Sequence, residues 1–219
     1  MDFEFDLPPE VLTPTESLTS YEDGVIHEFL GRTELTQETS EQSEVLLGDP
    51  EDAAHWHPQT EQYSCAVACQ EFVAEQLLDR EFSEQELIDL TQKEGWYDPE
   101  QGTSASDVGK ALEALGLQVE RSECQSIRSL MQSLANGEKV MCGVNNAVLA
   151  DPRCADLPGI KANHMVQVIG IDLQDPARPQ VLLNDPGVSG GGGIRHDLDV
   201  FVKAWDTGNR YMVTAERSQ

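Results

Sequence analysis

Apolar and polar positions follow two different rhythms along this chain. From Cys65 to Leu77 the apolar residues Cys69, Phe72, Val73 and Leu77 recur at three- and four-residue steps. That is the period of a helix with one buried face. Ser64 stands at the N-cap position, so Cys65 falls in the first turn. A second helix opens at Ser83-Glu84-Gln85-Glu86, a capping-box pattern, continues through Leu87, Ile88 and Leu90, and stops at Gly95. Ser104 to Asp107 repeats the pattern for a third helix over 105–115, ended by Gly116. Ser126 caps a fourth that runs to Ala135.

After Gly137 the rhythm shortens. Residues 139–144 read as a short apolar strand, following a shorter one at 117–120. Residues 164–171 and 180–184 alternate as antiparallel strands do. A loop with two prolines and Gly159 joins them to the earlier strand over 145–163. Asp185-Pro186-Gly187 and the glycines 190–193 make a turn, and Asp197 caps a short helix with Val200, Phe201, Ala204 and Trp205. Residues 210–215 close as a last strand. Helices first and strands later is an α+β layout, an N-terminal helical part packed on a mostly antiparallel sheet.

Residues 1–54 break both rhythms. They are rich in Glu, Thr, Ser and Pro, and their apolar residues are scattered, so the expectation is an acidic tail that buries too little surface to order itself. A patch at 21–30 has the makings of a helical turn or two that docks on the folded part, as a pro-segment does. The expected folded domain is 55–219. Residues 1–60 hold fifteen Asp or Glu against the single Arg32, and the whole chain has a formal charge of -26. Such acidity repels nucleic acid and anionic membrane alike. No run of about twenty apolar residues is present to span a bilayer. The start, MDFEFDLPPE, has neither the basic nor the apolar region of a secretory signal. Five cysteines without a tight repeat then read as reduced thiols in a cytoplasm.

One of those thiols is placed for chemistry. At the start of a helix, Cys65 feels the positive end of the helix dipole and the unpaired backbone amides, both of which favour thiolate, the nucleophilic form. A cysteine nucleophile needs a base and a group that orients the base. Of five histidines, His27 lies in the tail, His55 and His57 are close to Cys65 in sequence, and His196 sits in the glycine-rich turn. His164 opens a strand, which holds it more rigidly than a loop does. Asp185 ends the next strand, one hairpin away and within side-chain reach. Strand alternation puts Asn184 on the opposite face. Singly, these residues also suit a buried cysteine, a core histidine and a turn aspartate.

Gln59 and Cys65 at six-residue separation, then His164-Met-Val-Gln-Val-Ile-Gly170 and Leu183-Asn-Asp-Pro186, resemble a papain-like cysteine peptidase. The closer resemblance is to the family that removes double-glycine leader peptides from bacteriocins, and to its stand-alone bacterial relatives. The segment 201–205 resembles a late helix of those relatives, and the likeness spans 55–215. It implies that Cys65 attacks the scissile carbonyl, that His164 forms an ion pair with it and protonates the leaving amine, and that Asp185 holds the imidazole tautomer. Gln59 and the Cys65 amide would donate to the oxyanion. No cofactor or metal is implied, and the partner is a peptide or protein substrate, with no bearing on oligomeric state. Two departures stand out: Ala66 replaces the family's usual glycine after the nucleophile, and no transporter domain accompanies the peptidase.

Three other readings use the same residues. Cys65 and Cys69, four apart on one helix face, with His55 and His57 nearby, suggest zinc, although zinc sites favour shorter cysteine spacing. Enzymes resembling phytochelatin synthases use the same layout to pass an acyl group to an amine. A binding or adaptor protein keeps the fold without turnover. The loop 145–163 and the turn 187–193 are the expected cleft walls.

Overall fold

The computed structural model describes residues 24–27 and 46–218. Seven antiparallel strands among them form one sheet: β1 (Leu46–Gly48), β2 (Leu117–Ser122), β3 (Lys139–Val144), β4 (His164–Asp172), β5 (Gln180–Asn184), β6 (Ile194–Asp197) and β7 (Met212–Arg217). The order across the sheet is β2-β7-β3-β4-β5-β6, and β1 pairs with the far end of β4. Helices α1 (Cys65–Leu78), α2 (Glu84–Lys93), α3 (Lys110–Ala114), α4 (Ile127–Ala135), α5 (Asn146–Ala150) and α6 (Leu198–Asp206) cover it. The sheet and helices together make an α+β fold of the papain-like kind expected from the sequence.

Strand alternation divides the core. Val140, Cys142 and Val144 of β3 join α4, α5 and α6 in one apolar cluster, while Met141 between them joins α1. The sheet is therefore covered on both faces. Residues 165–171 of β4 are buried without interruption, so the alternating exposure expected there is replaced by burial of both faces. Helix α1 departs from expectation in the same way. Instead of one buried face, every residue from Ala66 to Ala74 is buried. Cys69 and Val73 face Met141, Met165 and Val213 of the sheet, and Val67 packs outward against Leu87, Ile88 and Tyr97.

That central position forces polar side chains inside, where each needs a partner. Gln70 is fully buried. It donates to the Ala66 carbonyl oxygen and accepts from the amides of Gly109 and Ala111, so it caps α3 from a neighbouring helix. Helix α3 is accordingly shorter than the 105–115 expected. Gly109 has φ 90, and residues before it turn on hydrogen bonds to the Ser104 carbonyl. The capping box of α2 is present as read, with Ser83 and Glu86 bonded reciprocally.

Residues just before the expected boundary at 54 also meet the sheet. Leu46–Gly48 pairs with Gly170–Asp172, and a 3-10 turn, Pro50–His55, follows. Asp52 is buried with its carboxylate 2.5 Å from Lys139 Nζ, and its carbonyl accepts from Asn184 Nδ2. Residues 24–27 are helical, and Val25 and Ile26 are buried in the cluster of α4 and α6. This turn thus docks on the sheet face away from α1. The rest of the expected tail, 1–23 and 28–45, lies outside the described residues. The loop 145–163 also gains structure: Asn145 caps α5 through Ala147 and Val148, and a second 3-10 turn spans Pro152–Asp156.

Candidate active site

The first residue of α1 is Cys65, where the backbone has not yet begun its ladder of i to i-4 bonds. The amides of Cys65 and Ala66 have no hydrogen-bond partner among the described residues, whereas Val67 and Ala68 donate to the Ser64 carbonyl. Ser64 takes the N-cap position, but its hydroxyl makes no cap bond. The hydroxyl instead pairs with the backbone of Glu61, tightening the turn that delivers Cys65. Two unpaired amides beside a thiol are what a developing oxyanion needs.

The first residue of β4 is His164, and Asp185 follows the last residue of β5. Gln167 pairs with Asn184 in the β4–β5 register, so the same register run past the strand end sets Gly187 opposite His164. His164 Nε2 lies 2.6 Å from Asp185 Oδ1. With Nε2 engaged there, Nδ1 remains for the thiol, and Cys65 is a side-chain hydrogen-bond partner of the ring. Burial works against charge on His164, but the bonds from Asp185 and Cys65 outweigh it and raise its pKa to about 9. The imidazole is therefore cationic at neutral pH. Burial likewise works against a charged Asp185, and the His164 bond and the Gly187 amide still hold its carboxyl below the ordinary value.

The surrounding turn fixes Asp185. Trp56 Nε1 donates to its carbonyl oxygen at 2.6 Å, and its amide donates to Gly191. A Cβ on Gly187 would stand 2.9 Å from His164 Cε1 and 3.3 Å from Asp185 Oδ1. The glycine is required by that close approach and not by its backbone angles. Asn184 points elsewhere, as alternation predicts, into a buried network with Gln167, the Asp52 carbonyl and the Gly193 amide.

Cys65, His164 and Asp185 thus come together from the start of one helix and the ends of two strands. Gln59 donates its backbone amide to the Pro186 carbonyl, and its side-chain amide donates to the carbonyl oxygens of Glu61 and Gln62, at 2.7 and 3.1 Å. Both side-chain donors are spent within the loop. His57 and His55 pair with Glu71 and Glu75 of α1, and Cys69 is buried with its sulfur toward the Met165 carbonyl, so they do not gather around Cys65. Burial outweighs the His57 bond and raises Glu71 to about pKa 7. No group of three or more His, Cys, Asp or Glu able to hold a metal occurs among the described residues.

A cleft of about 550 Å³ opens over Cys65 and His164. Ala66, Val108, Met165 and Tyr211 give it an apolar floor. One wall is 101–105, tied across to Tyr211 by its hydroxyl on the Ala105 carbonyl. The other is formed by 161–163 and 207–209. Of the two walls expected, the end of the loop 145–163 takes part. The turn 187–193 instead packs beside Asp185 and Trp56. The 101–105 wall was not read from the sequence, since nothing local marks a loop that acts only by folding back over a distant cysteine.

The fold is similar to that of papain-like peptidase domains of the C39 type. Among solved structures, the chain is similar to a putative C39-like peptidase from Bacillus anthracis, with a TM-score of 0.57 at 15% identity, covering 75% of this chain and 95% of that one. The peptidase domain of Streptococcus ComA, a bi-functional ABC transporter involved in a quorum sensing pathway, gives 0.54 at 17%, covering 74% and 98%. A double glycine motif protease from an AMS/PCAT transporter, solved with the leader peptide, gives 0.51 at 15%, covering 74% and 91%. At these identities the likeness is one of fold. No family model and no curated protein matches the sequence. No helix among the described residues is long and apolar enough to cross a membrane.

Proposed function

We propose that the chain is a thiol peptidase that cleaves peptide bonds through an acyl-enzyme on Cys65. The observation that carries this reading is the continuous line Asp185–His164–Cys65, with a cationic imidazole between carboxylate and sulfur. In this reading the Cys65 sulfur adds to the scissile carbonyl and the oxyanion takes the free amide of Cys65. His164 gives its proton to the leaving amine, and water then releases the acyl group with His164 as base. Asp185 keeps Nε2–H directed at itself and so leaves Nδ1 for the sulfur. Five unpaired cysteines support work in a reducing compartment such as the cytoplasm. A short, small-residue approach to the scissile bond fits a cleft narrowed by Ala66, and a leader or other peptide is the proposed substrate.

The test is Cys65→Ala assayed on a pool of quenched peptides. Loss of all cleavage with an unchanged circular dichroism spectrum supports the assignment, and surviving cleavage removes it. Product analysis with added peptide amines separates hydrolysis from acyl transfer.

One observation favours a second reading, a peptide-binding protein with an idle site: the Gln59 amide is spent on its own loop. Alkylation of Cys65 near pH 6 discriminates, because only an activated thiolate reacts fast there.

A further inference from the structure

The cleft is electrically unlike the rest of the molecule. The sequence contains 40 Asp and Glu, yet none of the described residues lining this cleft is one of them. Carboxylates just behind its walls are already engaged: Asp107 by Lys110 and Ser104, and Glu123 by Asn209. On the rim sits Lys161, an exposed side chain whose ammonium has no partner among the described residues. Most other described cations are committed, such as Arg121 to Glu113, Lys139 to Asp52 and Arg195 to Asp172. In a chain this acidic, a lysine without a partner beside a groove without a carboxylate, both among the described residues, is an unusual arrangement. Its backbone is held in place, since the Lys161 carbonyl accepts from Asn145 Nδ2 at 2.6 Å.

We propose that Lys161 selects peptides carrying a carboxylate close to the scissile bond, so that the substrate is an acidic peptide. The proposal rests on the peptide-binding reading of the cleft. An acidic ligand must cross the repulsive field of the whole protein, and Lys161 gives it a favourable destination at the end of that path, since the charge on His164 is already balanced by Asp185. A cationic peptide would be drawn to the general surface but meet the Lys161 ammonium at the site. Selection of this kind works by a rim charge, so it is modest and salt-sensitive.

Two measurements test it independently. The first uses iodoacetate and iodoacetamide, which differ in one negative charge, with alkylation followed at Cys65 by peptide mass mapping. The ratio of the two rates should fall about fivefold in Lys161→Met at low salt, be kept in Lys161→Arg, and converge on the variant's value in about 0.5 M salt. An equal ratio in wild type and Lys161→Met overturns the proposal, whether or not the protein cleaves peptides. The second uses quenched peptides with Glu, Gln or Lys at each of the three positions on either side of the cleaved bond, made both as C-terminal amides and as free acids. Glu should be preferred over Gln at one position by about fivefold, with Lys161→Glu reversing the preference toward Lys. Preference confined to the free acids identifies a terminal carboxylate as the recognised group, and preference within the amides identifies a side chain. Cleavage indifferent to all these charges refutes the selection while leaving the peptidase intact. Absence of any cleavage removes the peptidase reading, and the alkylation ratio then decides the role of Lys161.

Discussion

His164 is held by two partners of opposite use: a carboxylate that fixes its orientation and a thiol that it is placed to activate. Gly187 makes room for that arrangement, since any side chain there would touch the imidazole and the Asp185 carboxylate together. Gly187→Ala should therefore slow Cys65 alkylation at pH 6 by about tenfold or more, because small misplacements of a reacting group are costly. The variant's melting temperature should fall no further than that of His164→Gln, and a larger loss would refute a role confined to positioning the imidazole. The same imidazole predicts a pH limit. Its folded pKa, about 9, lies above the ordinary 6.5. It contributes stability in full below about pH 6.5 and loses that contribution as pH rises through 9. Asp185, held low, contributes above its ordinary value and loses that as pH falls. A plot of melting temperature against pH should fall on the alkaline side in wild type and flatten there in His164→Gln. Cys65, His164 and Asp185 were legible in the sequence as the candidate nucleophile, base and orienting acid because each sits at a marked place: a helix start, a strand start and a strand end. The spent state of the Gln59 amide was not, because its partners are backbone carbonyls whose direction depends on the fold of the loop.

Helix α1 shows how an element's local pattern can be right in type and incomplete in surroundings. The three- and four-residue spacing correctly gave a helix, but α2, α3 and the 3-10 turn cover the side that the pattern left polar. Gln70 lies on that covered side and works as a cap for α3. Gln70→Ala would leave the buried amides of Gly109 and Ala111 without an acceptor. A cost of about 3 kcal/mol is expected from urea unfolding, in line with the loss of one or two buried hydrogen bonds. A cost below about 1 kcal/mol would mean that water replaces the side chain. The same logic explains β4. Its alternation signals a strand, but only the presence of α1 on one face and of α4 and α6 on the other buries it throughout.

At the scale of the whole molecule, the N-terminal acidic region is not one thing. Residues 46–55 are tied to β4 by backbone pairing, to Lys139 by Asp52 and to Asn184 by a carbonyl. Gly48 shows how close that fit is: its backbone lies against Ile169 and Gly170 with no space for a Cβ, at φ 85. Removing residues 1–55 should broaden and lower the unfolding transition, because the half-buried Lys139 and part of a strand edge lose their partners. Retention of a sharp wild-type transition would show that this segment rests on the domain without supporting it. These contacts escaped the sequence reading because three residues of strand among acidic neighbours carry no periodic signal. The helical turn at 24–27 packs in the cluster of α4 and α6, on the sheet face away from α1.

What the sequence determined by itself was local. Caps, turn residues and apolar spacing set the helices and strands, and residue chemistry at their ends marked Cys65, His164 and Asp185. Only the tertiary structure decided which histidine meets the sulfur, which loop walls the cleft, and that Lys161 stands on its rim. The reason is physical. Local periodicity records how each segment buries its own apolar residues, whereas hydrogen-bond partners and the charge lining a groove depend on segments far apart in the chain being brought together by the fold.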